Sequence, residues 1–153
     1  MILNRQRAVR VARRPLEMFL RRVENAVGLG EAELTVCLVS DAEIARMNEE
    51  FRKKKGPTDV LSFPSEQTKR RVASAKKIRS ARKTPSVSSY LGDIAIAPQT
   101  ARRYAKKNGR TLHSELRVLI LHGVLHLMGY DHETDRGEMN RIEQKLRRRF
   151  GLA

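Results

Sequence analysis

The chain of 153 residues is long enough for one domain with a substantial core and too short for two comfortable ones. With 40% hydrophobic and 32% charged residues it has a globular composition, and no stretch approaches the roughly 18 apolar residues that a membrane helix needs. The formal net charge of +15 favours a polyanionic partner, with nucleic acid first and an anionic membrane surface second.

Two features of the sequence predict a cytoplasmic protein. Residues 1–14 are basic, but no apolar core follows them, so they do not resemble a signal peptide. Cys37 is the single cysteine, which excludes an intramolecular disulfide, and its apolar neighbours favour a small buried side chain in a reducing compartment.

The first part of the chain predicts a strand and a helix. Val9 and Val11 allow an extended segment within residues 2–12. Pro15 suits the first turn of a helix, and apolar residues at three- and four-residue spacing continue that helix to Gly28. The apolar stripe consists of Leu16, Phe19, Leu20, Val23 and Val27. We expect it to pack in the core.

A second strand and helix follow. Residues 33–39 are short, apolar and β-branched, which indicates a largely buried strand. Ser40 and Glu43 have the spacing of a capping box at the start of a helix. The side chains expected to point inward from this helix are those of Ile44, Met47 and Phe51. Arg52 ends it, and a basic turn leads to residues 58–64, which form a plausible strand bounded by prolines.

Residues 65–90 differ in character from the rest of the chain. They contain eight Lys or Arg residues against one acidic residue, Glu66, and have little to bury. This composition predicts a flexible insertion, either a loop or a loosely helical arm. We favour contact with RNA phosphates as its role, and the alternative is a solvated insertion with no role.

The second half of the chain predicts one strand and three helices. Residues 91–97 alternate as a strand does, and Pro98 opens a helix that runs to Lys107. Thr111 can cap a long helix that is apolar nearly all round and therefore central. A last helix covers about residues 135–150. Its apolar face is Met139, Ile142, Leu146 and Phe150, and its expected exposed arginines are Arg147, Arg148 and Arg149.

Three of the four histidines lie at the end of the long helix. His122 and His126 are four residues apart and share one helical face, as two ligands of one metal ion would. Gly129 permits the left-handed turn that ends a helix and brings His132 back as a third ligand. Three nitrogen ligands leave one position of a zinc ion open for water or substrate. His113 is half a turn out of phase and is expected to be structural or at the surface.

The spacing overlaps the His-Glu-x-x-His pattern of metal-dependent proteases. Gly123 stands where those enzymes have their general-base glutamate, so peptide hydrolysis by that route is disfavoured. A zinc hydrolase acting on a small or peptide substrate stays an alternative, although the basic charge makes it less attractive.

Three segments resemble the motifs of the YbeY endoribonuclease family, which are bacterial rRNA maturation factors. Residues 122–132, His-Gly-Val-Leu-His-Leu-Met-Gly-Tyr-Asp-His, closely resemble the family signature. Phe51 and Arg52, leading into residues 57–64, resemble its second motif, and residues 91–94 resemble its third. The match runs in the family's order from about residue 33 to 150. The basic segment at 65–90 departs from the family, because it is longer than the usual loop between the second and third motifs.

The resemblance implies a fold and an activity. The implied fold is a single α+β domain over residues 1–153, with a mixed four-stranded sheet, about five helices and a zinc site at the end of the central helix. His122, His126 and His132 would bind one Zn²⁺, and Arg52 and His122 would act in catalysis. The implied task is zinc-dependent cleavage of single-stranded RNA in 3′ end maturation of small-subunit rRNA and in ribosome quality control. Its implied partners are the small ribosomal subunit and assembly factors.

The residues themselves leave two points open. A non-catalytic assembly factor with structural zinc and a basic surface for rRNA would also explain the charge and the missing glutamate. Three aspartates, Asp59, Asp93 and Asp131, could orient the metal ligands, but each sits where a turn-forming aspartate is equally natural.

Overall fold

A mixed sheet of four strands lies at the centre of the computed structural model, which describes residues 1–77 and 89–152. The strands are β1 (Ile2–Asn4), β2 (Glu33–Leu38), β3 (Val60–Pro64) and β4 (Tyr90–Ile96). Their order is β1-β2-β4-β3: the first three run parallel, and β3 lies antiparallel to β4 at the edge. The mixed four-stranded sheet that the resemblance implies is therefore confirmed.

Six helices pack around this sheet within the described part of the chain. They are α1 (Arg13–Ala26), α2 (Asp41–Arg52), α3 (Glu66–Lys77), α4 (Pro98–Lys107), α5 (Leu112–Leu127) and α6 (Glu138–Arg149). The sequence predicts about five, and the additional helix is α3, within the predicted insertion at 65–90. Residues 78–88 of that insertion lie outside the described residues. None of the six helices is long and apolar enough to cross a membrane.

Serine and threonine side chains cap the N-termini of three of the helices. The backbone N–H of Glu43 donates to Ser40 Oγ at 3.1 Å, and that of Ser114 donates to Thr111 Oγ1 at 3.1 Å, so both predicted caps are confirmed. Ser65 does the same for α3, where the N–H of Thr68 donates to Ser65 Oγ at 3.1 Å. These caps fix where α2, α3 and α5 begin.

Helix α5 is the central helix that the sequence predicts. It packs against α1, α4, α6 and the strands β3 and β4, and most of its side chains are buried. Ile94 and Ile96 of β4 belong to the large core that includes α5, whereas Ala95 packs with Ile44 of α2. The alternation along β4 thus buries both faces of the sheet, with α2 and α5 on opposite sides.

Gly123 lies where α5 rests on the sheet. A Cβ atom at this position would come within 2.8 Å of two side-chain atoms of Ile94, which is fully buried in β4. A side chain at this position would require the Ile94 side chain, or the helix and the strand, to shift. The position that carries a general-base glutamate in metal-dependent proteases is therefore used here for close packing between helix and sheet.

Some predictions of individual side chains are wrong. Phe51 is 61% exposed instead of core, because the helix ends at the next residue and no core layer extends that far. Arg147 is half-buried instead of exposed, since its guanidinium lies 3.8 Å from the buried carboxylate of Glu143, one turn earlier on α6. Cys37 is half-buried instead of buried. The extended segment expected within residues 2–12 is a strand only at Ile2–Asn4.

Candidate active site

The C-terminal end of α5 brings two histidine rings together. His122 Nε2 and His126 Nε2 lie 3.1 Å apart, as expected for residues one helical turn from each other. The ring of His132 lies against both, with centroid distances of 5.6 Å to His122 and 5.4 Å to His126. One nitrogen from each of the three rings falls within 4.8 Å of the others, and His113 is not a member of this group.

The turn after α5 places His132. Gly129 has a φ of +100°, and its N–H donates to the His126 carbonyl at 2.9 Å. The next N–H, of Tyr130, donates to the carbonyl of Leu125 at 3.1 Å, which reverses the chain. Asp131 then closes a short turn, because its Oδ1 accepts from the N–H of Glu133 at 3.0 Å. The turn through Gly129 that the sequence predicts therefore positions His132 beside the other two histidines.

Hydrogen bonds determine which nitrogens face each other. The carbonyl of Tyr130 can only accept, so His126 Nδ1 donates to it at 3.0 Å. His122 Nδ1 donates to Glu143 Oε1 at 2.8 Å. With both Nδ1 atoms protonated, the neutral rings turn their Nε2 lone pairs towards each other at 3.1 Å. Such an arrangement is repulsive unless a metal ion or a proton lies between the two nitrogens.

The donor set fits a zinc ion. Two nitrogens bound to tetrahedral zinc at about 2.0–2.1 Å lie about 3.3–3.4 Å apart, close to the separation of the two Nε2 atoms. Within residues 1–77 and 89–152, no further histidine, cysteine or carboxylate joins the group of three. The three side chains can therefore hold a metal ion and leave one tetrahedral position open.

Glu143 is the residue of this site that the sequence analysis missed. It projects from α6, its side chain is only 11% exposed, and it accepts the hydrogen bond from His122. Burial alone would raise the pKa of Glu143, but the hydrogen bond from His122 and the positive charge of Arg147 lower it overall. Its sequence signal is its place between Met139 and Leu146, on the buried face of α6. A carboxylate there needs a partner.

Burial and charge also act on His126. Desolvation, followed by the neighbouring His122 and His132, lowers the pKa of its imidazole below the usual value. Each of these causes disfavours the protonated form. The ring is therefore held in the neutral state in which a histidine nitrogen binds a metal.

The three histidines open into a cleft of about 1310 Å³. All five residues of the edge strand β3 line it, together with one face of α3 and the C-terminal end of α2. Arg52 lines this cleft as well, although it is 70 residues before His122 in the chain. The fold thus brings the two residues predicted to be catalytic to one cavity, while their roles stay predictions.

The three aspartates considered as orienting groups have other partners. Asp59 accepts from the Thr58 hydroxyl, Asp93 accepts from the Tyr90 hydroxyl, and Asp131 is engaged in its own turn. The groups that orient the rings are instead Glu143 and the carbonyl of Tyr130.

Comparison with known proteins gives a consistent result. The family model described as Endoribonuclease YbeY matches residues 1–151. The Endoribonuclease YbeY of Solibacter usitatus is 40% identical over 148 residues, which cover 96% of this chain and 86% of that protein. The protein of the same name from Koribacter versatilis is 38% identical over 152 residues, covering 99% of this chain and 86% of that one.

A solved structure is similar over most of the chain. The solution structure of TM1509 from Thermotoga maritima superposes with a TM-score of 0.58 at 29% sequence identity. The match covers 95% of this chain and 85% of the Thermotoga protein. The likeness therefore extends over both the sheet and the helix that carries the histidines.

Proposed function

The chain belongs to the YbeY endoribonuclease family, and from that premise we propose that it is a zinc-dependent endoribonuclease specific for single-stranded RNA. We further propose that it acts in the cytoplasm in 3′ end maturation of small-subunit rRNA and in ribosome quality control, in company with the small ribosomal subunit and its assembly factors. The formal net charge of +15 supports an RNA substrate.

The observation that carries the proposal is the pair of Nε2 lone pairs facing each other at 3.1 Å beside a third imidazole. Holding the two lone pairs this close destabilises the metal-free site, and a bound cation would remove that destabilisation. His122, His126 and His132 would hold the zinc ion. Bound there, zinc would supply Lewis acidity for phosphodiester cleavage, because the three histidines line the open cleft.

The protein's own groups have separate tasks. The Glu143 carboxylate keeps the proton on His122 Nδ1 and thereby keeps Nε2 free as a ligand. The carbonyl of Tyr130 does the same for His126. Arg52 carries a planar, permanent positive charge into the cleft, where it can bind two oxygens of a phosphate as negative charge develops. No ion pair to Arg52 occurs in the described parts of the chain, so its charge is available.

A test follows from these assignments. Purified protein is incubated with single-stranded rRNA fragments, with and without a zinc chelator, and the products are separated by size. We expect scission that the chelator abolishes and that is lost in both Arg52→Ala and His122→Ala. His113→Ala is the matched control, since His113 is on the same helix but outside the triad, and it should cleave normally.

The rival function is a non-catalytic zinc protein that binds rRNA during ribosome assembly. It is favoured by Gly123, which leaves α5 without a carboxylate between the two histidines to act as a base. Tight, salt-dependent RNA binding without scission in the same assay would support this rival and contradict the proposed enzyme.

A further inference from the structure

Phe51 is a large aromatic side chain left exposed inside the candidate active-site cleft. Its exposed fraction is 61%, although the helical spacing of α2 predicts a core residue. Its ring meets that of Phe63 edge to face, with centroids 5.1 Å apart and an interplanar angle of 70°. Both phenylalanines line the cleft that holds the three histidines. The contact with Phe63 holds the ring of Phe51 in place, and the exposed part of that ring is available to a planar ligand.

The support under Phe51 is firm. Phe63 lies in β3, one residue from the strand's end, and packs against the small core formed with Ile44 of α2. Met47, one turn before Phe51, packs against the same cluster and also lines the cleft. Phe51 thus stands on a built surface of the sheet and α2, and its ring orientation does not depend on a mobile loop.

Positive charges lie directly beside the exposed ring. Arg52 follows Phe51, and residues 53–55 are three exposed lysines. Lys53 has a φ of +56°, and this left-handed residue turns the lysines away from the helix axis. Within residues 1–77 and 89–152, none of these four cations has an ion-pair partner. Arg52 lines the cleft together with Phe51, and the three exposed lysines follow directly in the chain.

We propose that Phe51 is a stacking platform for one unpaired nucleobase of the RNA substrate, with Phe63 as its support and the cations at 52–55 on the adjacent phosphates. This inference rests on the proposed function and specifies how the cleft holds its substrate. Every base has a π face, so an aromatic platform beside basic groups binds single strands with little sequence preference. In a duplex the bases stay stacked on each other and cannot use it, which gives the cleft a preference for single strands.

Charge distinguishes RNA from a protein partner at this surface. Interfaces between proteins are depleted in lysine at their centre. Single-stranded RNA instead offers phosphates that cations bind and bases that stack on an aromatic ring, and residues 51–55 supply both kinds of group. The cleft also leads from Phe51 to the histidines, so a strand held at the platform can reach the site of scission.

The test uses zinc-loaded protein and octauridylate in which each position in turn carries the fluorescent base 2-aminopurine. Stopped-flow mixing records binding and fluorescence quenching before scission accumulates. With wild-type protein, we expect at least one position to be quenched by stacking. In Phe51→Ala, that quenching should disappear and the affinity should fall about 5- to 150-fold, the range for losing one base–aromatic stack. Phe51→Tyr should retain both signals, whereas Phe51→Leu, which is apolar but has no π face, should lose the quenching.

Tyr104 provides the matched control. It is also an exposed aromatic residue among basic neighbours, on α4, but it does not line the cleft. Tyr104→Ala should leave both quenching and affinity unchanged. If wild-type protein binds and cleaves RNA while Phe51→Ala binds with equal affinity and equal quenching, the stacking proposal is overturned and the endoribonuclease proposal stands. If wild-type protein neither binds nor cleaves the RNA, both are overturned.

Discussion

Replacing Glu143 by glutamine removes one negative charge from the group that orients a proposed zinc ligand, while keeping the shape of the side chain. Glu143 Oε1 accepts from His122 Nδ1 at 2.8 Å, and the carboxylate is nearly buried. A hydrogen bond to a charged group contributes about 1.5–3 kcal/mol and one between neutral groups about 1 kcal/mol. The substitution should therefore cost about 0.5–2 kcal/mol of zinc binding, or about 2- to 30-fold in affinity.

The assay is a competition for zinc between the protein and a chromophoric chelator at fixed pH. Glu115→Gln is the matched control, because Glu115 is also buried and pairs with Arg110 at 3.1 Å, away from the histidines. We expect Glu115→Gln to lower the free energy of unfolding without changing zinc affinity. Equal zinc affinity of Glu143→Gln and wild-type protein would refute the role assigned to Glu143.

Three further predictions concern the packing of the site and its charge. Gly123→Ala should lower the free energy of unfolding by about 1–3 kcal/mol in denaturant titrations, because its methyl group meets the buried Ile94; an unchanged value would mean that Ile94 or α5 can shift without cost. Gly92→Ala should cost about 3 kcal/mol or more, since φ is +141° and the new methyl would collide with the Phe63 carbonyl; calorimetry showing an unchanged Tm would contradict this. Lys69→Ala, on the cleft-facing side of α3, should reduce the slope of log affinity for RNA against log salt by about 0.7, the value for one phosphate contact; an unaltered slope would leave α3 without a role in binding.

The histidine site could be predicted from sequence because its geometry is local. A four-residue spacing fixes His122 and His126 on one helical face, and Gly129 fixes the turn that returns His132. None of these relations depends on where distant segments pack. The central position of α5 follows in the same way, from a helix that is apolar nearly all round.

Glu143 and Phe51 could not be placed by the same reasoning. Glu143 meets His122 only because α6 folds back onto α5, and periodicity shows which face is buried but not what that face contacts. Phe51 has the spacing of a core residue, yet the core does not extend as far as this residue. The spacing of residues along a helix does not show where the sheet beneath that helix ends. The surroundings of Glu143 and Phe51 are therefore set by tertiary packing.

Helix α3 shows the limit of compositional arguments. Its segment has few residues to bury, and its composition leaves a loop and a loosely helical arm equally open. The structure describes a helix in which Thr68 is 1% exposed and which Ser65 caps. The Ser65 hydroxyl also donates to the Tyr90 carbonyl at 2.6 Å, which ties the start of α3 to β4. Two polar side chains thus anchor a helix that hydrophobicity alone does not predict.

Zinc titration of metal-free protein, with RNA scission as the readout, tests the central claim most directly. If the three histidines hold one ion that cleavage requires, scission of single-stranded RNA should be absent at first, rise in proportion to added zinc and level off at one zinc per chain. Scission at full rate before any zinc is added, or no scission after the site is filled, would contradict the claim.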